Sequence, residues 1–243
     1  MKHYKYYLLI FLLCSCKMYF LNTAFDKLGI YNENIDLIEL NNGQKNIVFF
    51  PMSHLGTTKF YEDVNGKIDS LKNKGYFFYY EKSTGNIKED TILRKIRKIR
   101  GVPFSKNGNL EILLDTLLSE KQKKKLKKQL ITQPKYDSLG LNVKNSRNVD
   151  ASMSEIIERY EINYGTIILE ECDFNNTIYD KTNCNNSKPN KKQYDAIVIE
   201  FRNSIVVDEI LNENDHNKIA VIYGKGHLEG IKASLIEEGF KEK

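Results

Sequence analysis

Ala220-Val221-Ile222-Tyr223 leads straight into Gly224-Lys225-Gly226-His227, and this stretch decides the fold. A short apolar run bounded by turn residues reads as a buried strand. The glycines let the backbone turn tightly behind it, so the histidine falls just past the strand's carboxyl end. The chain repeats the arrangement: Ile47-Val48-Phe49-Phe50 runs into Ser53-His54-Leu55-Gly56. In open α/β sheets, ligands bind at that edge. Once the first residues are set aside as a leader, only His216 remains outside the two turns, within Asn212-Glu213-Asn214-Asp215, where it reads as an exposed loop residue.

Working outward, Ile35 to Leu40 alternates apolar and polar residues, and Asn41-Asn42-Gly43 supplies a hairpin turn before Asn46 to Phe50. Thr57-Thr58 caps a helix whose Phe60, Tyr61, Val64, Ile68 and Leu71 keep helical spacing. Gly75 stops it, and Tyr76 to Tyr80 forms the next strand, ending at Glu81. Strand, helix and strand in this order predict a parallel crossover. The middle reads as helical over Ile87–Ile99, Leu110–Leu118 and Ser119–Leu130. Ser152 and Glu155 form a capping box for a helix through Tyr160. Gly165 to Glu171 fits either a strand or a helix extension. Tyr194 to Leu211 fits a long helix, although Ile197-Val198-Ile199 also passes for a strand. Ala220 to Tyr223 is the last strand expected, with a helix over Leu228–Glu238. The fold class expected is α/β, a central mixed sheet with flanking helices and a helical insertion in the middle.

The start of the chain bears on compartment. Lys2 and Lys5 precede an apolar run, Tyr6 to Leu13, that is too short to span a bilayer. The segment Leu13-Cys14-Ser15-Cys16 resembles the bacterial lipobox, which implies a signal peptide over 1–15 and lipidation of Cys16. Residues 16–34 then read as a tether and 35–243 as the domain. The resemblance implies a lipid-anchored protein of the bacterial cell envelope, on the periplasmic or cell-surface side.

Loss of Lys2 and Lys5 lowers the formal charge from +5 to +3. The basic run Lys121–Lys128 reads as a solvated helix face, so no nucleic-acid partner is expected. With Cys14 and Cys16 accounted for, Cys172 and Cys184 remain as a pair around a polar loop. Outside the cytoplasm a disulfide is expected there, in preference to a thiolate metal site.

The Gly224-to-His227 turn, its following helix with Gly230-Ile231 and Leu235, the upstream Arg202-Asn203, and His54-Leu55-Gly56 followed by the Glu81 strand together resemble the TraB/GumN/Tiki group. That group is related to the erythromycin-esterase-like superfamily. The likeness spans most of residues 47–240, with the middle helices poorly matched. The group carries two Gly-x-x-His motifs, a glutamate after the second core strand and an Arg-Asn pair. Gly224 to His227 fits outright, whereas Pro51-Met52-Ser53-His54 has proline where the group usually has glycine. The resemblance implies metal-dependent proteolysis without fixing the substrate; with the lipobox it makes a membrane-anchored hydrolase the leading expectation.

His54, Glu81 and His227 also make chemical sense by themselves. Two imidazoles and a carboxylate can hold a divalent cation such as Mn, Co or Zn and leave a position open for water. The same set serves a metal-free esterase-like route, with one residue as general base and another as general acid. A third reading is an iron- or haem-binding lipoprotein without turnover. Arg202 suits a substrate carboxylate or a developing oxyanion, or else an ion pair with Glu200 or Glu209. Asn203 suits orientation of a histidine or contact with a peptide or small-molecule substrate. Tyr223 reads as core packing and Asp150 as a helix cap.

Overall fold

The two apolar runs lie side by side. In this computed structural model, which describes residues 18–83, 90–101, 103–104, 118–180, 184 and 191–243, the first half holds β1 (Ile38–Asn41), β2 (Asn46–Met52), β3 (Leu55–Gly56), α1 (Thr58–Asn73), β4 (Phe77–Tyr80), α2 (Asp90–Arg100), α3 (Glu120–Lys123) and β5 (Ile131–Thr132). After these come β6 (Ser146–Asn148), α4 (Met153–Tyr164), α5 (Glu171–Phe174), α6 (Lys191–Asp195), α7 (Phe201–Asn212), β7 (Lys218–Gly224), α8 (Leu228–Glu237) and β8 (Lys241–Glu242). The leader over 1–15, Cys16 and nearly all of the helix expected over Leu110–Leu118 lie outside the described residues.

The architecture is α/β with a mixed six-stranded sheet in the order β6-β4-β7-β2-β1-β8. Strand β7 runs parallel to both of its neighbours, β2 and β4, and β6 is parallel to β4. The hairpin strand β1 and the terminal β8 are antiparallel additions at one edge. The expected crossover from β2 through α1 to β4 is therefore present, with β7 inserted between the two strands. The Ala220–Tyr223 strand is not the last, since β8 follows it.

Burial on both faces explains the unbroken apolar runs of β2 and β7. Val48, Phe50, Ala220 and Ile222 face α1, whose Phe60, Val64 and Ile68 meet them. Ile47, Phe49, Ile219, Val221 and Tyr223 face the other way, onto Val206, Val207 and Ile210 of α7 and Ile231 and Leu235 of α8. Helices thus flank both faces. A smaller cluster joins Ile96 and Ile99 of α2, Ala151, Ile156 and Ile157 of α4, and Ile197. Thr57 caps α1 through a bond from the Phe60 N–H, and Ser152 with Glu155 caps α4 as its sequence predicts.

Several expectations need correcting. Within Ser119–Leu130 only Glu120–Lys123 is helical. Like-charged lysines a turn apart repel on a helix, and Lys127 and Lys128 instead pair with Asp26 and Glu33. Residues 165–170 form neither strand nor helix, since Gly165 ends α4 at φ +91° and no partner strand adjoins. The segment read as a tether is helical over 18–27, and Asn22 bonds Lys125 and Lys127 across to the body. His216 is half-buried, edge-on to Phe77. The Ile197-Val198-Ile199 ambiguity resolves as helix of an unusual kind: α6 passes into a π-helical turn, Ala196–Glu200, and on into α7.

The expected bridge is present. Cys172 and Cys184 form a disulfide with a Cα–Cα distance of 5.5 Å. No helix among the described residues is long and apolar enough to cross a membrane.

Candidate functional site

Parallel pairing brings the ends of β2, β7, β4 and β6 to one edge of the sheet. Met52 lies opposite Gly224, and Tyr80 lies opposite Ile222 and Asn148. The residues that follow these strands are therefore neighbours: His54, His227, Glu81 and Asp150. Pro51 sits inside β2 opposite Tyr223 rather than in the turn, so the departure from glycine falls on extended backbone.

Arg202 is the centre of the arrangement. It reaches the strand ends from α7, just after the π turn. Its Nε and Nη2 donate to the two oxygens of Asp150 at 2.7 and 2.9 Å, and Nη2 also donates to Glu81 Oε1 at 2.6 Å. Its Nη1 faces the Val198 carbonyl and His227 Nε2, each at 3.3 Å. Every N–H of the guanidinium is thereby engaged within the protein. The ion pairs expected with Glu200 or Glu209 are absent; Glu209 pairs with Arg147. Burial alone would lower the Arg202 pKa, but Asp150 and Glu81 outweigh it and raise it.

Glu81 is nearly buried and bonded at both oxygens, since Oε2 accepts from the Gly224 N–H at 2.6 Å. Desolvation pushes its carboxyl up, yet Arg202, His227 and the Gly224 N–H together hold it below the ordinary carboxylate value. A side chain at Gly224 would place its Cβ 3.0 Å from Glu81 Oε2, so glycine permits this approach.

His227 is buried at the end of a 3₁₀ turn, Lys225–His227. Its Nδ1 lies 2.7 Å from Asn203 Oδ1. These contacts assign the proton to Nδ1, donating to Asn203, and leave Nε2 to accept from Arg202. Glu81 Oε1 is 3.8 Å from the same Nε2. Burial is the largest influence on His227 and lowers its pKa; Arg202 and His54 add to this, against Glu81 and Asp150.

His54 is exposed and oriented differently. Its Nδ1 is 3.2 Å from Gln133 Oε1, and its carbonyl accepts from the Gln133 N–H at 3.0 Å. The short β3–β5 ladder, Leu55 opposite Thr132, carries Gln133 to this place. Tyr136, bonded to Gln133, donates to the Glu81 carbonyl at 2.7 Å and so links the two halves of the site.

The structure thus brings together Glu81, Arg202, Asn203 and His227 in direct contact, with His54 nearby on the adjoining strand end. It does not gather the donor atoms of His54, Glu81 and His227 around one point. Among the described residues, the only trio of His, Cys, Asp or Glu donor atoms lying within 4.8 Å of one another is Cys172, Asp173 and Cys184, whose sulfurs form the disulfide. Asp150, read from sequence as a helix cap, is a fully buried partner of Arg202; Ser152 does the capping. Gln133 and Tyr136 gave no sequence signal. Tyr223 is buried as expected, and its hydroxyl bonds the Val149 carbonyl beside Asp150.

The chain matches no known protein family, no curated protein and no solved structure.

Proposed function

We propose that the chain is an extracytoplasmic, lipid-anchored hydrolase that cleaves an ester or amide with side-chain acid–base chemistry. The observation that carries this reading is the buried Glu81–Arg202–Asp150 cluster at the strand ends, with His227 against it and His54 beside it. Glu81, Asp150 and Arg202 sum to one surplus negative charge. Such a surplus favours positive charge developing on His54 nearby, whereas burial keeps His227 neutral.

His54 is the general base. Gln133 Oε1 accepts its Nδ1–H, which leaves Nε2 unprotonated. Nε2 takes a proton from water as the water oxygen attacks the acyl carbon, and returns that proton to the leaving oxygen or nitrogen as the acyl bond breaks. Gln133 holds the tautomer, while Arg202 and Asn203 hold His227 in place. The likeness of the Gly224–His227, Arg202-Asn203 and Glu81 segments to the TraB/GumN/Tiki group supports the same reaction class, and Leu13–Cys16 supports the envelope location.

The surplus negative charge also favours the rival route, in which His54, Glu81 and His227 hold a divalent cation. In this arrangement the residues do not fit it: the Arg202 guanidinium already bridges Glu81 Oε1 and His227 Nε2. The test is hydrolysis of a panel of acyl esters and blocked dipeptides by full-length protein, with and without chelator. We expect activity that survives metal removal, falls at least about a hundredfold in His54→Ala, and falls less in Gln133→Leu. Activity restored only by added metal would replace this route with the cation route. Retention of the Cys16→Ala variant in the membrane fraction would remove the anchor.

A further inference from the structure

Sequence allows Arg202 to meet a substrate carboxylate or to form an ion pair, yet none of its N–H groups is free for a substrate. The structure offers another guanidinium in the same part of the fold. Arg100 is the last residue of α2, and its neighbour Ile99 shares a core cluster with Ile197 of the π turn and with Ala151, which directly follows Asp150. The other cations of α2 are anchored. Arg94 bonds the Asp173 and Asn176 carbonyls, and Arg97 those of Thr177 and Asp173. Lys95 pairs with Glu161 and Lys98 with Asp173.

Arg100 has no hydrogen bond or ion pair among the described residues. Its guanidinium lies 5.3 Å from the centroid of the Phe104 ring, which steadies the plane without neutralising the charge. The residue keeps solvent access, yet the surrounding protein desolvates it enough to lower its pKa. Arg202 lowers it further, against Tyr194. A guanidinium with no anion among the described residues is a binding group in want of a partner.

Its surroundings agree. Lys82 directly follows Glu81, and Lys225 directly follows Gly224; both are exposed, and neither forms an ion pair among the described residues. The buried centre carries surplus negative charge and its rim is positive, an arrangement that draws in an anionic ligand from solution. A planar guanidinium matches a carboxylate with two parallel hydrogen bonds. No Gly-rich phosphate loop accompanies Arg100, which favours carboxylate over phosphate.

We propose that Arg100 binds a carboxylate of the substrate, so that the site acts on compounds with a free carboxylate near the scissile carbonyl, such as a peptide's carboxyl end. This rests on the hydrolase reading for turnover but not for binding, and the test separates the two. The probes are N-acetyl-dialanine as the free acid and as its amide, offered to the full-length protein. In NMR spectra the Arg100 Nε–H resonance, assigned by its loss in Arg100→Gln, should shift with the acid and stay put with the amide. If hydrolysis is seen, KM for the acid should rise about tenfold to hundredfold in Arg100→Gln, the loss of one charged hydrogen-bonding partner, with the amide unaffected. Arg100→Lys should recover part of the loss. A resonance shift without hydrolysis of either probe sinks the hydrolase reading and leaves the carboxylate site standing. Equal response to acid and amide, or no response to either, overturns the carboxylate site.

Discussion

The Nδ1–H of His227 points at the amide oxygen of Asn203, 2.7 Å away, and the nitrogen of that same amide is backed by Gly230. A Cβ at Gly230 would lie 2.2 Å from Asn203 Nδ2. Orientation of the buried imidazole thus depends on the absence of a side chain one helix away.

Gly230→Ala tests this. Alanine favours helix over glycine by roughly 1 kcal/mol, so local helix preference predicts a gain in α8. The collision with Asn203 predicts lost activity, about tenfold to hundredfold, as for other residues that orient a site histidine. Asn203→Ala should show a similar loss. Activity assays beside circular dichroism check it; full activity in Gly230→Ala would show that Asn203 does not orient His227.

Asp150 and Arg202 form a buried pair, with the aspartate side chain fully sequestered. Asp150→Ala leaves the guanidinium with one carboxylate, Glu81, in place of two. Breaking a buried pair by removing one partner costs about 3–5 kcal/mol, to be read from urea unfolding at neutral pH. A loss under about 1 kcal/mol would mean that water replaces the carboxylate.

The acid side of the stability profile follows from His227 and Glu81. The folded pKa of His227 lies below the ordinary 6.5, so the unfolded chain takes up the proton first. Its contribution is complete above 6.5 and is lost as pH falls from there to the folded value. Glu81 is likewise depressed below 4.5, and its contribution is lost as pH falls from 4.5 through its folded pKa. Unfolding free energy measured from pH 8 to 4 should therefore begin to fall near 6.5. In His227→Gln the decline that begins there should be reduced.

The loop between Cys172 and Cys184 is held twice. The disulfide closes it, while Arg94 and Arg97 of α2 grip its carbonyls from inside. A loop of this length contributes on the order of 3 kcal/mol in the chain-entropy picture. Replacing both cysteines by alanine should lower stability by up to that amount, measured by denaturation without reductant. The arginine contacts should keep the loop protected from protease.

How much of this was legible depended on whether a residue's surroundings announced themselves. Strands β2 and β7 did, because burial on both faces demands continuous apolar runs, and the strand-end positions of His54, Glu81 and His227 followed directly. Asp150 was hidden because it follows β6, Ser146-Arg147-Asn148, a short polar strand paired with β4 at the edge of the described sheet. Gln133 and Tyr136 were hidden because a two-residue ladder has no periodicity to read. The Lys121–Lys128 run misled by spacing: it looks like a helix face, but Lys127 and Lys128 are drawn to Asp26 and Glu33 of the N-terminal segment. The divalent-cation reading came from donor types, whereas Arg202 shows that a protein cation can take the central place.

The π turn at Ala196–Glu200 sets how far this site tolerates changes in chain length. An α-helix advances about 100° per residue, and a π turn absorbs an additional residue without breaking the rod. Within the turn, Ile197 is buried beside Ala151; downstream, the rod is phased to aim Arg202 and Asn203 at the strand ends. The two phases are out of step, and the inserted residue reconciles them. Deleting one residue there, whichever it is, would force a choice between seating the rod and aiming its charge. The site thus depends on the length of that turn as well as on the buried Ile197 and the Val198 carbonyl that it supplies.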